Sequence, residues 1–171
     1  MFRGKYAIYY GEQEVTKEED EEEKDYEAIL FGTALHYTLE MLSTFSIMGV
    51  ADALLATKNR YGLQLSQQAI EQIKSRVLEL VTNERFQKLL EGADIKREQS
   101  LSFNEELKQI DLLLEYEQKC VVIDYKSSKK YHQKHLRQVR HYKRAIESIV
   151  KKPTTGILIY LLEEGVEFVG V

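Results

Sequence analysis

Residues 109–126 constrain this chain more than any other stretch. Two apolar runs, 110–114 and 120–123, are separated by a short polar break, and each carries one aspartate, Asp111 and Asp124. Such a pattern predicts a tight hairpin whose turn lies near residues 116–119. A two- or four-residue loop there pairs residues whose numbers sum to 235, which sets Asp111 directly opposite Asp124. Opposed residues hold their Cβ atoms about 4.5–5.5 Å apart, and like charges at that distance repel. Lys126 leaves the same face as Asp124, because a strand repeats every two residues. A buried carboxylate needs a partner. Two carboxylates and an ammonium on one sheet face point to a divalent-metal site with a catalytic lysine. The plainer reading is a charged strand terminus in which Lys126 neutralises Asp124. Acid-x-Lys occurs five times in the chain, so the tripeptide alone decides nothing; the apolar run before it and the facing aspartate distinguish this copy.

Composition limits the alternatives. A chain of 171 residues suits one domain with a sizeable core, and 43% apolar with 30% charged residues describes a folded rather than a disordered protein. The apolar runs fall well short of the roughly 20 residues of a membrane helix, so no membrane association is expected. The opening residues lack the apolar core of a signal peptide. One cysteine, Cys120, excludes an internal disulfide and a four-cysteine iron–sulfur cluster. Its apolar strand implies a buried, inert thiol in a reducing, cytoplasmic setting. The net charge of −4 hides an asymmetry. Residues 126–152 carry +9, including Lys129, Lys130, Lys134, Arg137 and Arg140, whereas residues 1–125 carry −10. Such a block suits a polyanion, although a solvated helix face would give the same count.

Along the chain, residues 6–10 suit a short strand and residues 12–25 an acidic run read as a solvated tether, giving an N-terminal segment 1–25 ahead of a domain at 26–171. Helical periods cover 26–45, 47–58 and 63–81, with a short helix capped by Asn83 and stopped by Gly92. Strands are expected at 95–103, 107–116 and 120–126, a basic amphipathic helix at 132–150, and a final strand pair at 156–162 and 166–171. Both faces of the 109–126 hairpin are apolar, so helices should cover it on both sides. The fold class is therefore α/β or α+β, a mixed sheet flanked by helices with a helical N-terminal part.

Further residues invite chemical roles. His36 follows Gly32, Thr33 and Ala34 on the first helix, where small residues allow close approach, and neutral imidazole joins carboxylates around metals. Glu40 lies one turn later. Gln138 and Tyr142 stand at i and i+4 on the basic helix and share a face. Taken singly, each is more often an ordinary packed residue than a functional one.

Taken together they form a pattern. Gly32-x-x-x-His36 on an early helix, Ile110-Asp111 on one strand, Asp124-Tyr125-Lys126 on the next and Gln138-x-x-x-Tyr142 on the following helix resemble the RecB-type branch of the PD-(D/E)XK nucleases. The wording is most similar to the C-terminal nuclease domain of AddA/RecB helicase–nucleases, and the resemblance covers about residues 26–165. It implies a restriction-endonuclease-like core. It makes His36, Asp111, Asp124 and the Tyr125 carbonyl metal ligands, Lys126 the catalytic lysine, and Glu98 a further acid near the site. Gln138 and Tyr142 match the motif that supports the site and contacts DNA. One departure is Lys108, where the family often has glycine.

The implied activity is a Mg²⁺-dependent deoxyribonuclease, an exonuclease, with Mn²⁺ able to substitute. Its implied setting is the processing of double-strand-break ends in recombinational repair. The basic residues 129, 130, 134, 137 and 140 would meet DNA, single-stranded or at duplex ends. No P-loop is present, so a helicase motor and an AddB-like partner subunit would lie elsewhere. The alternative is a nuclease-fold DNA-binding accessory domain that does not cut.

Overall fold

The computed structural model describes residues 12–171, with side chains from Asp25 onward; the strand expected at residues 6–10 lies outside the described residues. Four helices come first: α1 (Glu12–Met41), α2 (Ile47–Tyr61), α3 (Gln67–Val81) and α4 (Glu84–Leu90). Strands β1 (Asp94–Phe103), β2 (Glu106–Glu115) and β3 (Cys120–Lys126) follow, then α5 (His132–Val150), β4 (Thr154–Leu162) and β5 (Gly165–Gly170). Helix α1 begins well before the expected residue 26, so the backbone of the acidic run is helical. No glycine or proline interrupts the chain from Glu12 to Phe31, and glutamate is a good helix former that is favoured near a helix N-terminus.

Local chemistry sets the other boundaries. Ser46, Ser66 and Asn83 each accept a backbone N–H from three residues on, at 3.2, 3.0 and 3.0 Å, capping α2, α3 and α4. Helix α5 ends at Lys151 in the left-handed conformation (φ 62°), and Pro153 prevents its continuation.

The sheet has the order β1-β2-β3-β4-β5, and all neighbours are antiparallel except β3 and β4. A parallel pair needs a crossover, which α5 supplies. Helices α1–α4 pack on one face against Leu112, Leu114, Val121, Ile123 and Tyr125. Helix α5 covers the other, with Tyr142, Ala145 and Ile146 against Leu113, Cys120 and Val122. On α3 the buried positions Ile73, Val77 and Leu80 recur at helical spacing and are 0% exposed; such burial contributes about 1.5–3 kcal/mol per side chain. Gly156 lets α5 approach β4, since a Cβ there would stand 2.5 Å from a Val139 methyl. The result is an α+β fold, a mixed five-stranded sheet flanked by helices with a helical N-terminal part. Among the described residues no helix is long and apolar enough to cross a membrane.

The hairpin register is the one the sequence implies. Leu112 pairs with Ile123, Leu113 with Val122, Leu114 with Val121 and Glu115 with Cys120. The Tyr116 N–H donates to the Lys119 carbonyl at 2.8 Å, closing the turn.

Candidate active site

Beyond the Leu112–Ile123 pair the ladder opens, and the polar residues collect there. Asp111 Oδ2 accepts the Tyr125 N–H at 2.9 Å, so the carboxylate continues the register where a backbone bond would otherwise stand. The β1–β2 ladder has a gap at the same level: Arg97 pairs with Leu112 and Gln99 with Ile110, while Glu98 and Asp111 do not pair. Glu98 sits at φ 44°, a left-handed conformation that costs a non-glycine residue about 1–2 kcal/mol. Such strain persists only where the surroundings enforce it, and it gathers at functional sites.

His36 reaches this point from α1. Gly32, one turn earlier, makes the approach possible: a Cβ there would meet the Ser127 hydroxyl oxygen at 3.3 Å, in the segment joining β3 to α5. His36 Nδ1 lies 2.9 Å from the Gly32 carbonyl and must donate to it, which fixes the tautomer. Nε2 then faces two oxygens, the Tyr125 carbonyl at 2.9 Å and Asp111 Oδ2 at 3.3 Å. Burial opposes protonation of the ring. The hydrogen bond and charge of Asp111, with the Gly32 carbonyl and Asp124, outweigh it and raise the pKa to about 9. Either a proton or a cation must therefore sit on Nε2 between these oxygens.

Asp124 is 3% exposed. Burial first, and then the charge of Asp111, push its pKa up, against the opposing pull of Lys126 and His36. Lys126 Nζ stands 3.1 Å from Asp124 Oδ2, an ion pair that offsets part of the cost of burying that carboxylate. Glu98 is pushed up to about 7 by its burial and by the charges of Asp111 and Glu40, with His36 opposing.

These donors are of the right kind for a hard divalent cation: two carboxylates, a peptide carbonyl and an imidazole fixed for Nε2 ligation. Asp124 is turned toward Lys126, however, and among the described residues no three His, Cys, Asp or Glu side chains are gathered around one point.

The motif on α5 stands beside Asp124. Gln138 Nε2 donates to the Tyr142 hydroxyl at 2.9 Å, across one turn. Tyr142 is buried, and burial followed by the Asp124 charge raises its pKa to about 12. The five basic residues are all exposed, but they are not equivalent. Lys129 pairs with Glu167, and Lys130 lies 3.6 Å from Asp25. Lys134, Arg137 and Arg140 have no carboxylate partner among the described residues and run along the outer face of α5.

Sequence reasoning missed Tyr160, which the parallel register sets beside Lys126. The Nδ1 atoms of His132 and His135 both lie 2.9 Å from its hydroxyl. Burial and the charges of Lys126, His132 and Lys134 lower the His135 pKa to about 4, so it is neutral at pH 7. The i, i+3 histidines were visible in the sequence, but their partner is 25 residues further on in another strand. Arg76 was missed as well: its Nη1 donates to the Leu161 carbonyl at 3.0 Å and the Ser127 carbonyl at 3.4 Å, tying α3 to β4 and to the segment after β3.

No protein-family model matches the chain, and no curated protein matches it. Among solved structures it is similar to the crystal structure of a protein from Eubacterium rectale named "Putative exonuclease", with a TM-score of 0.58 and 11% identity over 85% of this chain and 59% of that one. A second solved structure, SSO0001, aligns over 69% of this chain and 60% of that one at 17% identity, with a TM-score of 0.33 that carries no argument. The chain thus spans about three-fifths of the length of the first. At 11% identity the likeness is one of fold, and it joins this α+β architecture to that of a protein named as a nuclease.

Proposed function

We propose that the chain is a metal-dependent DNA nuclease of the RecB-type PD-(D/E)XK kind. It would act as an exonuclease on DNA ends, as the nuclease part of a helicase–nuclease whose motor and AddB-like subunit are other parts of the assembly. The observation that carries this reading is the state of Asp124. A buried carboxylate held against a lysine adjoins a carbonyl that already faces a tautomer-fixed histidine and a second aspartate. Burying one carboxylate within reach of another is unfavourable, and a bound cation relieves it. Likeness of fold to the Eubacterium rectale protein supports the same direction.

His36 Nε2, Asp111, Asp124 and the Tyr125 carbonyl would hold Mg²⁺ or Mn²⁺, which supplies an activated water and Lewis-acid polarisation of the phosphoryl oxygen. Lys126, held against Asp124, is placed to orient the attacking water or to stabilise negative charge as it develops. Glu98 adds a carboxyl group whose pKa near 7 suits proton exchange. The Gln138–Tyr142 pair, with Tyr142 within reach of the Asp124 charge, would support the site from the α5 side. Lys134, Arg137 and Arg140 offer free cations to backbone phosphates, with Lys129 and Lys130 available once released from Glu167 and Asp25.

The test is degradation of single- and double-stranded DNA with Mg²⁺, with EDTA as control, by the wild type and by Lys126→Ala. Cleavage that needs the metal and disappears in the variant is expected. Wild-type-like cleavage by a folded Lys126→Ala protein would falsify the assignment. DNA binding with no cleavage by the wild type would mark an accessory domain instead.

A further inference from the structure

Helix α5 returns the chain from β3 to β4, so its first turn stands near the C-terminal ends of that parallel pair, where Lys126 and Tyr160 lie side by side. Tyr160 is fully buried. Its hydroxyl meets two half-buried imidazoles from that turn, with His132 Nδ1 and His135 Nδ1 each 2.9 Å away. A hydroxyl has one proton to give. It donates to one Nδ1 and must accept an N–H from the other, so the two neutral rings take opposite tautomers. One ring then presents a bare Nε2 and the other an Nε2–H. A single partner would satisfy the hydroxyl; the second completes a chain of hydrogen bonds from one Nε2 to the other. The surroundings are cationic. Lys129 Nζ lies 5.8 Å from the Tyr160 ring centre, and burial with the charges of Lys126, His132 and Lys134 keeps His135 neutral. Asp124 and Glu167 also act on Tyr160, but each is paired, with Lys126 and Lys129. Three lysines disfavour a metal ion here, and proton transfer is the chemistry the trio can offer.

We propose that His135, Tyr160 and His132 form a proton exit from the nuclease site, carrying to solvent the proton that the attacking water loses. The proposal rests on the nuclease reading above and adds three residues to its machinery. The Lys126 ammonium, 3.1 Å from Asp124, can orient that water but has no lone pair to take its proton. A neutral imidazole has one. His135 is the inner ring, since the Lys126 charge acts on it. As the water oxygen bonds to phosphorus, its proton moves to His135 Nε2. The proton on His135 Nδ1 passes to the Tyr160 oxygen, the Tyr160 hydroxyl proton passes to His132 Nδ1, and His132 Nε2 releases its own proton to bulk water. The leaving oxygen departs with the P–O electron pair and takes a proton from water. All three side chains end neutral, with the two tautomers exchanged. Once product leaves and water enters, a proton returned to His132 Nε2 and one lost from His135 Nε2 restore the start.

Two measurements test this exit. In metal-free protein at about pH 8, where an ordinary histidine is neutral, long-range ¹H–¹⁵N spectra read the tautomer of each ring. His132 and His135 should be in opposite tautomers. In Mg²⁺, single-turnover cleavage of DNA by Tyr160→Phe should be about a hundredfold slower than by the wild type, with DNA affinity in EDTA unchanged and no response to added imidazole. His132→Ala, which removes the outer ring, should be slowed alike, and imidazole in the buffer should restore most of the rate. The exit is overturned if both rings share one tautomer, if folded Tyr160→Phe cuts as fast as the wild type, or if His132→Ala is not slowed or not restored by imidazole. Should Tyr160→Phe fail to fold, the tautomers and the imidazole response decide. A wild type that cuts while Tyr160→Phe cuts equally well defeats this inference alone. A wild type with opposed tautomers that never cuts defeats the nuclease reading, and the exit with it.

Discussion

The hairpin formed by β2 and β3 has a carboxylate beside lysine at each end, and the two ends behave oppositely. At the turn, Glu115 accepts from Lys96 at 2.8 Å and from Lys152 at 3.0 Å. The hydrogen bonds of Lys96 and Lys152 hold its carboxyl below the usual range. Its charges are matched and half open to water. At the open end Asp124 is nearly dry and feels the charge of Asp111, which Lys126 only partly offsets, so its pKa moves up instead. Acid next to lysine therefore says little by itself. What marks a site is whether the local charges are balanced, and of the two ends only the open one falls short.

The largest contrast between the ends should be in activity. Lys126→Ala is expected to reduce Mg²⁺-dependent DNA cleavage by about a thousandfold or more, in line with the loss of a group acting on transition-state charge, while Lys152→Ala leaves it near wild type. Equal loss in both variants, measured by nuclease assay on folded protein, would erase the distinction. A second contrast lies in metal binding. Saturating Mg²⁺ or Mn²⁺ at about a hundred times its dissociation constant should add about 2.7 kcal/mol of apparent stability. For a domain of this size that raises the melting temperature by about 5–10 °C. Asp124→Asn should lose the shift and, without metal, melt no lower than the wild type, because it removes a buried repelling charge; Glu115→Gln should keep the shift. Thermal melts with and without metal decide this.

Smaller effects sharpen the same comparison. Glu115→Gln should cost about 1 kcal/mol or less, as partly exposed ion pairs do, and less at high salt. Its folded pKa is depressed, so the stabilisation is present above the ordinary glutamate value and is lost as pH falls through the folded one. Glu98 has the opposite sign. Its pKa is raised to about 7, so its contribution is most favourable below about 4.5 and is lost as pH rises from there to 7. Glu98→Gln should flatten the metal-free stability curve in that window; an unchanged slope in chemical denaturation across those pH values would remove Glu98 from the cluster.

Much of the frame was legible because its signals are local. The 235 register followed from the length of a turn, α5 from its apolar period, and the Asn83 cap and Pro153 stop from residue types with one dominant use. What escaped was what depends on distant partners or on backbone strain. Nothing in the sequence marks Glu98 for a positive φ, joins Tyr160 to two histidines on α5, or sets Tyr61 of α2 against Tyr37 of α1. The start of α1 was misjudged for a different reason: a run of glutamates reads as solvated by charge, but its propensity and freedom from breakers allow helix. His36 was a bare candidate on its own helix, and its meaning depends on Gly32 letting α1 close against Ser127.

The strand order has a kinetic consequence. Every neighbour in the sheet is also the next strand in the chain, so the sheet assembles from short closures, the longest being the β3–β4 crossover through α5. The contact of His36 with the Tyr125 carbonyl spans 89 residues. Closure entropy rises with the logarithm of that separation, and distant pairings are made late. The scaffold bearing both aspartates and the lysine can therefore form before the helix that completes it arrives. Docking of α1 is then what brings His36 to the Tyr125 carbonyl.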